Sequence, residues 1–127
     1  MNILDKVEKY VTGLFQHNDD DKLRYHNITH TRNVVKAAKL IAGKCDVSDR
    51  DLEALLVAAW FHDVGYLERK LNHEDISKKY AREFLERQGE QPGFISQVEK
   101  CIEATRVPQK PHDKLSAILC DADLFHV

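Results

Sequence analysis

The sequence of 127 residues predicts an all-α fold, a helical bundle of about six helices. Apolar residues recur at helical spacing, three or four residues apart, along nearly the whole chain. Short alternating runs of apolar and polar residues are absent, and so are the Asn-Gly and Asp-Gly pairs that are typical of hairpins. Capping residues and prolines divide the helical pattern into segments of ordinary helix length.

The first two helices are predicted from their apolar stripes. Residues 3–15 carry apolar side chains at the spacing of an amphipathic helix. The acidic segment at residues 18–21 ends this pattern, and we expect a solvated loop there because Asx clusters favour turns. The second helix begins near Ile28 and ends near Gly43, and His30 lies on its inward stripe.

The third helix has a sequence signal at each end. Ser48 followed by Asp51 is a capping-box pattern, which predicts the start of the helix. The apolar stripe ends in His62 and Asp63, and their spacing places Asp63 on the core face and His62 at its edge. Gly65 follows directly and is predicted as the C-cap.

Three further helices complete the predicted bundle. The fourth runs over residues 74–88, with a glycine as its stop signal. The fifth begins after Pro92 and ends before residues 107–111, where two prolines disfavour helix. The sixth begins after residue 112 or 113 and carries Asp123 on its apolar stripe.

Composition indicates an ordinary globular domain and excludes several classes of protein. Hydrophobic residues make up 43% and charged residues 31%, and the formal net charge of −2 disfavours nucleic-acid or acidic-membrane binding. No apolar stretch approaches the length of a membrane span, and no signal pattern is present. The three cysteines are far apart, which predicts reduced and mostly buried thiols. We therefore expect a single cytoplasmic domain over residues 1–127, of unknown oligomeric state.

Ligand-type residues on three predicted helices point at one core. His30, the pair His62 and Asp63, and Asp123 all lie on or beside apolar stripes. An ionised aspartate on such a stripe is costly unless it is paired or binds a cation. Asp121 is a competing acid, but two residues from Asp123 on a helix it faces another side. We predict that these four residues bind a divalent metal ion, and Mn, Mg, Fe, Co, Ni and Zn all stay open.

Four segments resemble the sequence motifs of one family: YHNITHT at 25–31, AAWFHDVGY at 58–66, HEDIS at 73–77 and ILCDADL at 118–124. The order of a His, a His-Asp pair and a distant Asp resembles the HD superfamily of metal-dependent phosphohydrolases. The resemblance covers the chain from about residue 23 to its end. It implies the HD-domain helical bundle, the four metal ligands above, and hydrolysis of a phosphoester or phosphoanhydride by a metal-activated water. The implied substrate is a small phosphorylated molecule, with a nucleotide as one candidate.

The resemblance also implies roles for single residues. Asp63 is the candidate to share the proton of the attacking water, and His73 and Glu74 are candidates to stabilise the leaving group. Many members carry a further His near the end of the fifth helix, where this chain has Thr105. That difference favours one metal over two. Similar proteins also continue through more helices after the position of Asp123, which leaves open whether the chain is an amino-terminal portion of a longer protein.

Other interpretations stay open at the level of sequence. A regulatory module that binds metal and nucleotide without turnover fits the replacement of a phosphate-side His by Thr105. A helical domain with a buried polar cluster and no metal is the second alternative, and a metal-dependent oxygenase, which Thr105 disfavours, is the third. Arg106 and Lys110 either meet a substrate phosphate or are solvated cations of a loop. His26 either anchors a turn or lies at the rim of the site.

Overall fold

The computed structural model describes residues 2–17 and 27–124, and over these residues it contains six α-helices and no strand. The all-α prediction is therefore confirmed. The helices are α1 (Ile3–Gln16), α2 (Ile28–Ala42), α3 (Asp49–Phe61), α4 (His73–Arg87), α5 (Pro92–Ala104) and α6 (Lys114–Leu124). A short 3-10 helix, Val64–Leu67, connects α3 to α4. The acidic loop predicted at residues 18–21 lies outside the described residues.

The helix ends are made by the capping residues that the sequence predicts. The side chain of Ser48 accepts a hydrogen bond from the backbone N–H of Asp51 at 3.1 Å, which begins α3. Pro92 is the first residue of α5, where its missing N–H carries no penalty. Gly89 follows α4 with a φ of 77°, a left-handed conformation that favours glycine. These boundaries were predictable because each depends on local chemistry.

The third helix lies at the centre of the bundle. α3 packs against each of the other five helices, and its residues 54–61 are all buried. α2 packs on α6, α5 packs on both α4 and α6, and α1 covers another side of α3. A helix that is apolar all round belongs in a core, because every face is removed from water. The end of α3 therefore delivers His62 and Asp63 into the interior.

The role predicted for Gly65 was wrong. α3 ends at Phe61 with His62 as its C-cap, and Gly65 lies within the 3-10 helix that follows. A Cβ atom built on Gly65 would lie 1.9 Å from the carbonyl oxygen of His73. Glycine is required here because two backbone segments approach each other closely, and this approach places the start of α4 against the end of α3.

Two expectations from composition can be compared with the structure. Cys101 and Cys120 are buried as predicted, but Cys45 is exposed. Desolvation by burial raises the pKa of Cys101 to about 12 and that of Cys120 to about 11, which makes both thiols poor nucleophiles at neutral pH. Within the described part of the chain, no helix has the length and apolar character needed to cross a membrane.

Candidate metal centre

His30 enters the site from the first turn of α2. The side chain of Asn27 caps this helix by accepting a hydrogen bond from the His30 N–H at 3.0 Å. The cap fixes where the helix begins, and therefore which face His30 occupies. Its side chain is only 11% exposed, so the imidazole points into the protein as the stripe predicts.

His62 is more deeply buried than its predicted place at the edge of the stripe. The residue is 0% exposed, because the end of α3 is enclosed by the other helices. Its Nδ1 lies 2.6 Å from the carbonyl oxygen of Ala59. A carbonyl only accepts hydrogen bonds, so Nδ1 carries a proton, and whenever the ring is neutral its Nε2 presents a lone pair. Such a contact orients a histidine for metal binding.

Asp63 and Asp123 meet the two histidines at the same nitrogen atoms. Oδ1 of Asp123 lies 3.3 Å from Nε2 of His30 and 3.2 Å from Nε2 of His62. Oδ2 of Asp63 lies 3.4 and 3.5 Å from the same two atoms. The ligand-type atoms of His30, His62 and Asp123 all lie within 4.8 Å of one another. The structure thus brings together the four residues that were predicted as ligands, which we name the His–Asp cluster.

The electrostatics of the His–Asp cluster favour positive charge at its centre. Burial opposes protonation of His62, but the carboxylates of Asp63 and Asp123 outweigh it and raise the pKa of His62 to about 9. Burial alone would raise the pKa of Asp123, but hydrogen bonds from His30 and His62 hold it well below its ordinary value. The cluster thus offers two imidazole nitrogens and two carboxylate oxygens in surroundings that stabilise positive charge. This donor set fits a divalent cation.

His73 and Glu74, the predicted leaving-group residues, lie behind Asp63. Nε2 of His73 is 3.4 Å from Oδ1 of Asp63, and Nδ1 of His73 is 3.4 Å from Oε2 of Glu74. Both residues are buried, although each belongs to the first turn of α4. The structure therefore places His73 in contact with the cluster through Asp63, and Glu74 at the opposite nitrogen of the same ring.

Two supporting residues lie in segments quoted in the sequence analysis, which assigned them no role of their own. The hydroxyl of Ser77 accepts a hydrogen bond from the Gly65 N–H at 2.8 Å and lies 2.9 Å from the carbonyl oxygen of His62, to which it donates. The ring of Tyr66 stacks on His73 with 3.8 Å between centroids. Ser77 follows His73 by one helical turn, so a stripe read from His73 would have included it. No periodic signal marks Tyr66.

The candidates on the α5–α6 connection have other roles. Arg106 is bound to acids, at 2.7 Å from Glu103, 2.6 Å from Asp75 and 3.5 Å from Glu74. The hydroxyl of Thr105 donates to the carbonyl oxygen of Ile102 within its own helix.

The remaining candidates are peripheral or not described. Lys110 is exposed, and so are His17 and His112, for which the sequence offered no pattern. His26 and His126 lie outside the described residues.

A protein family and a solved structure are similar to this chain. The HD domain family matches residues 27–127. The solved structure is that of a predicted HD superfamily hydrolase from an uncultured Thermotogales bacterium, at a TM-score of 0.76 and 29% sequence identity. The similarity covers 94% of this chain but 66% of that chain, so this chain spans less than two thirds of its length. No curated protein matches the sequence. Because the family match extends over most of the chain and includes the whole His–Asp cluster, the chain belongs to the HD domain family.

Proposed function

We propose that this chain is a metal-dependent phosphohydrolase domain that binds one divalent cation through His30, His62, Asp63 and Asp123. The observation that carries the proposal is that one carboxylate oxygen of Asp63 and one of Asp123 each lie 3.2–3.5 Å from the Nε2 atoms of both His30 and His62. Family membership and the hydrolase description of the Thermotogales relative support the same reaction type.

The donor set favours chemistry over a purely structural metal. Nitrogen and carboxylate oxygen ligands that leave further coordination positions for water are typical of hydrolytic sites. A divalent cation held here would lower the pKa of a bound water and polarise a phosphoryl oxygen. The hydrogen bond from His62 Nδ1 to Ala59 holds the ring in the orientation that this requires.

Asp63 is the residue best placed to handle a proton. One of its oxygens faces the two imidazoles, and the other lies 3.4 Å from Nε2 of His73. Asp63 can therefore accept a proton from the attacking water through one oxygen while His73 contacts the other and fixes the orientation of the carboxylate. Glu74 holds the far nitrogen of His73, so we assign His73 and Glu74 to the proton and leaving-group side of the site.

A small phosphorylated molecule is the proposed substrate, and nucleotides are the class to test first. We propose one metal rather than two, because Thr105 has no metal-binding imidazole and its hydroxyl is bound to the backbone of Ile102. Among the six metals considered, His and Asp ligands accept several, so identity has to be measured.

The first test measures metal content. The purified protein and an Asp63→Ala variant are compared by elemental analysis, before and after incubation with Mn²⁺. Asp123→Asn is compared in parallel with Asp121→Asn, a matched control on the exposed side of the same helix. We expect near-stoichiometric metal in the parent and in the control, and loss of metal in both site variants. A parent without metal even after incubation contradicts the proposal.

The second test measures turnover. Bis(p-nitrophenyl) phosphate and a panel of nucleotides are incubated with the metal-loaded protein, and phosphate or nitrophenol release is followed. Hydrolysis that disappears in Asp63→Ala and persists in Asp121→Asn supports the phosphohydrolase. A protein that binds metal and nucleotide but shows no turnover would instead favour the regulatory module. That module is the second candidate because Thr105 stands where many family members have a histidine.

A further inference from the structure

Gln109, in the connection between α5 and α6, contacts a residue of the His–Asp cluster. Its side-chain Nε2 donates a hydrogen bond to Oδ2 of Asp123 at 3.3 Å. The other oxygen of the same carboxylate, Oδ1, faces His30 and His62. Each oxygen of Asp123 therefore has a different set of partners, and the carboxylate cannot rotate without breaking one of them.

The connection that carries Gln109 is tethered at both ends. At its start, Arg106 is held by Glu103 and by Asp75 of α4. At its end, Asp113 accepts a hydrogen bond from the backbone N–H of Ser116 at 2.8 Å and caps α6. Because both ends are anchored to helices, less conformational freedom is lost when Gln109 is held against Asp123.

We propose that Gln109 is a positioning residue for metal binding, and this inference rests on the proposed metal site. By holding Oδ2, it turns Oδ1 of Asp123 toward the point where the imidazole nitrogens converge. Residues that orient a metal ligand through a hydrogen bond typically contribute about 10–100-fold to metal affinity. Gln109 acts through Asp123 and has no ligand role of its own.

The chain offers a matched control. Gln97 donates from its Nε2 to Oδ2 of Asp113 at 3.3 Å, the same contact between the same residue types. Asp113 has no ligand role in the proposed site, since it caps α6 at the end opposite Asp123. Gln109→Ala and Gln97→Ala therefore remove equivalent hydrogen bonds, one at the His–Asp cluster and one away from it.

The experiment is a calorimetric titration of the metal-stripped proteins with Mn²⁺. We expect Gln109→Ala to bind Mn²⁺ about tenfold or more weakly than the parent, and Gln97→Ala to bind as the parent does. Gln109→Met keeps about the length of the side chain, adds no charge and lacks the donor, so we expect it to lose affinity as well. Thermal unfolding in EDTA shows whether a variant has lost Mn²⁺ affinity because it is unfolded. If one Gln109 variant is unfolded, the comparison uses the other.

The possible results separate this inference from the function on which it rests. Equal Mn²⁺ affinity for the parent and both Gln109 variants, with binding lost in Asp63→Ala, overturns the role of Gln109 and leaves the metal site standing. If Gln97→Ala weakens Mn²⁺ binding as much as Gln109→Ala does, the role of Gln109 is also overturned. The effect would then come from a general loosening of the α5–α6 connection. A parent that binds no Mn²⁺ overturns both the metal site and this inference.

Discussion

Two groups of charged side chains meet at the start of α4, and they use different cations. The His–Asp cluster pairs two aspartates with the imidazoles of His30 and His62. A second group, the α4–α5 ion-pair cluster, is formed by four residues: Asp75, Lys78, Glu103 and Arg106. His73 contacts the first group and Glu74 contacts the second, so this adjacent pair joins them.

The difference between the two groups decides what each can do. Lys and Arg nitrogens stay protonated at neutral pH and have no lone pair to offer, so the α4–α5 cluster is complete as an ion pair and stabilises the contact between two helices. A histidine ring can lose its second proton and then presents a lone pair, and the contact with Ala59 keeps Nε2 of His62 as the nitrogen that faces the centre of the His–Asp cluster. Similar acids therefore stabilise the structure beside a guanidinium and, in the function proposed above, bind a metal beside an imidazole.

The largest expected effect comes from the point where the two groups join. Gly65→Ala would place a methyl group 1.9 Å from the His73 carbonyl oxygen, so the start of α4 must move. We expect a loss of about 3 kcal/mol in unfolding free energy and weaker metal binding, because His73 moves with α4. Urea unfolding and Mn²⁺ titration measure the two effects.

Gly93→Ala is the control for this substitution. A Cβ on Gly93 meets nothing within 4 Å, and the residue lies within α5, where alanine is the better helix former. We expect stability equal to or above that of the parent. If Gly65→Ala is as stable as Gly93→Ala, the close approach of α4 to the 3-10 helix does not restrict the residue at position 65.

A smaller effect is expected in the α4–α5 cluster itself. Arg106→Ala removes one of two partners of the buried carboxylate of Glu74, whose side chain is 8% exposed and which keeps its contact with His73. Loss of a partner by a buried carboxylate is costly, but His73 remains and Arg106 is about a third exposed, so water screens part of the loss and we expect about 2 kcal/mol. Chemical denaturation of the metal-free protein measures it.

Arg82 provides the comparison on the same pair of helices. It binds Glu99 of α5 from the surface, with half of its side chain exposed. We expect Arg82→Ala to change stability far less than Arg106→Ala, because exposed ion pairs contribute little. If the two substitutions lower stability equally, the contact of Arg106 with the buried Glu74 contributes no more than an exposed ion pair does.

The smallest expected effect is a dependence on pH. The hydrogen bond from Arg106, and to a lesser degree Lys78, outweighs burial and lowers the pKa of Glu103 from its ordinary value of 4.5 to about 2. Glu103 therefore contributes stability in full above its unfolded pKa, and loses that contribution as the pH falls toward 2. We expect Glu103→Gln to be less stable than the parent near neutral pH and to differ less from it in acid.

Urea unfolding at about pH 6 and about pH 3 checks this expectation. If the difference in stability between the parent and Glu103→Gln narrows in acid, the effect is assigned to the ion pair of Glu103 with Arg106, which is lost when Glu103 is protonated. A gap of constant size would instead assign it to the shape or packing of the side chain at position 103.

The helices and the identity of the His–Asp cluster follow from sequence alone. Ser48, Gly89 and Pro92 act through the geometry of their own turn, so the helix ends they predict appear in the structure. The four cluster residues were also readable, because His30 and Asp123 continue apolar stripes and the His62–Asp63 pair ends one. Periodicity is a local property, and burial of an amphipathic helix follows from it.

Tertiary structure alone decided how the site is oriented and supported. Gly65 was predicted as a cap because no local signal reveals that His73 will approach it across the chain. The contacts of Gln109 with Asp123 and of Arg106 with Glu74 join residues 14 and 32 positions apart, and one of each pair lies in an irregular connection. Periodicity does not extend into such segments, and only the packing of helices around α3 determines which polar groups meet there.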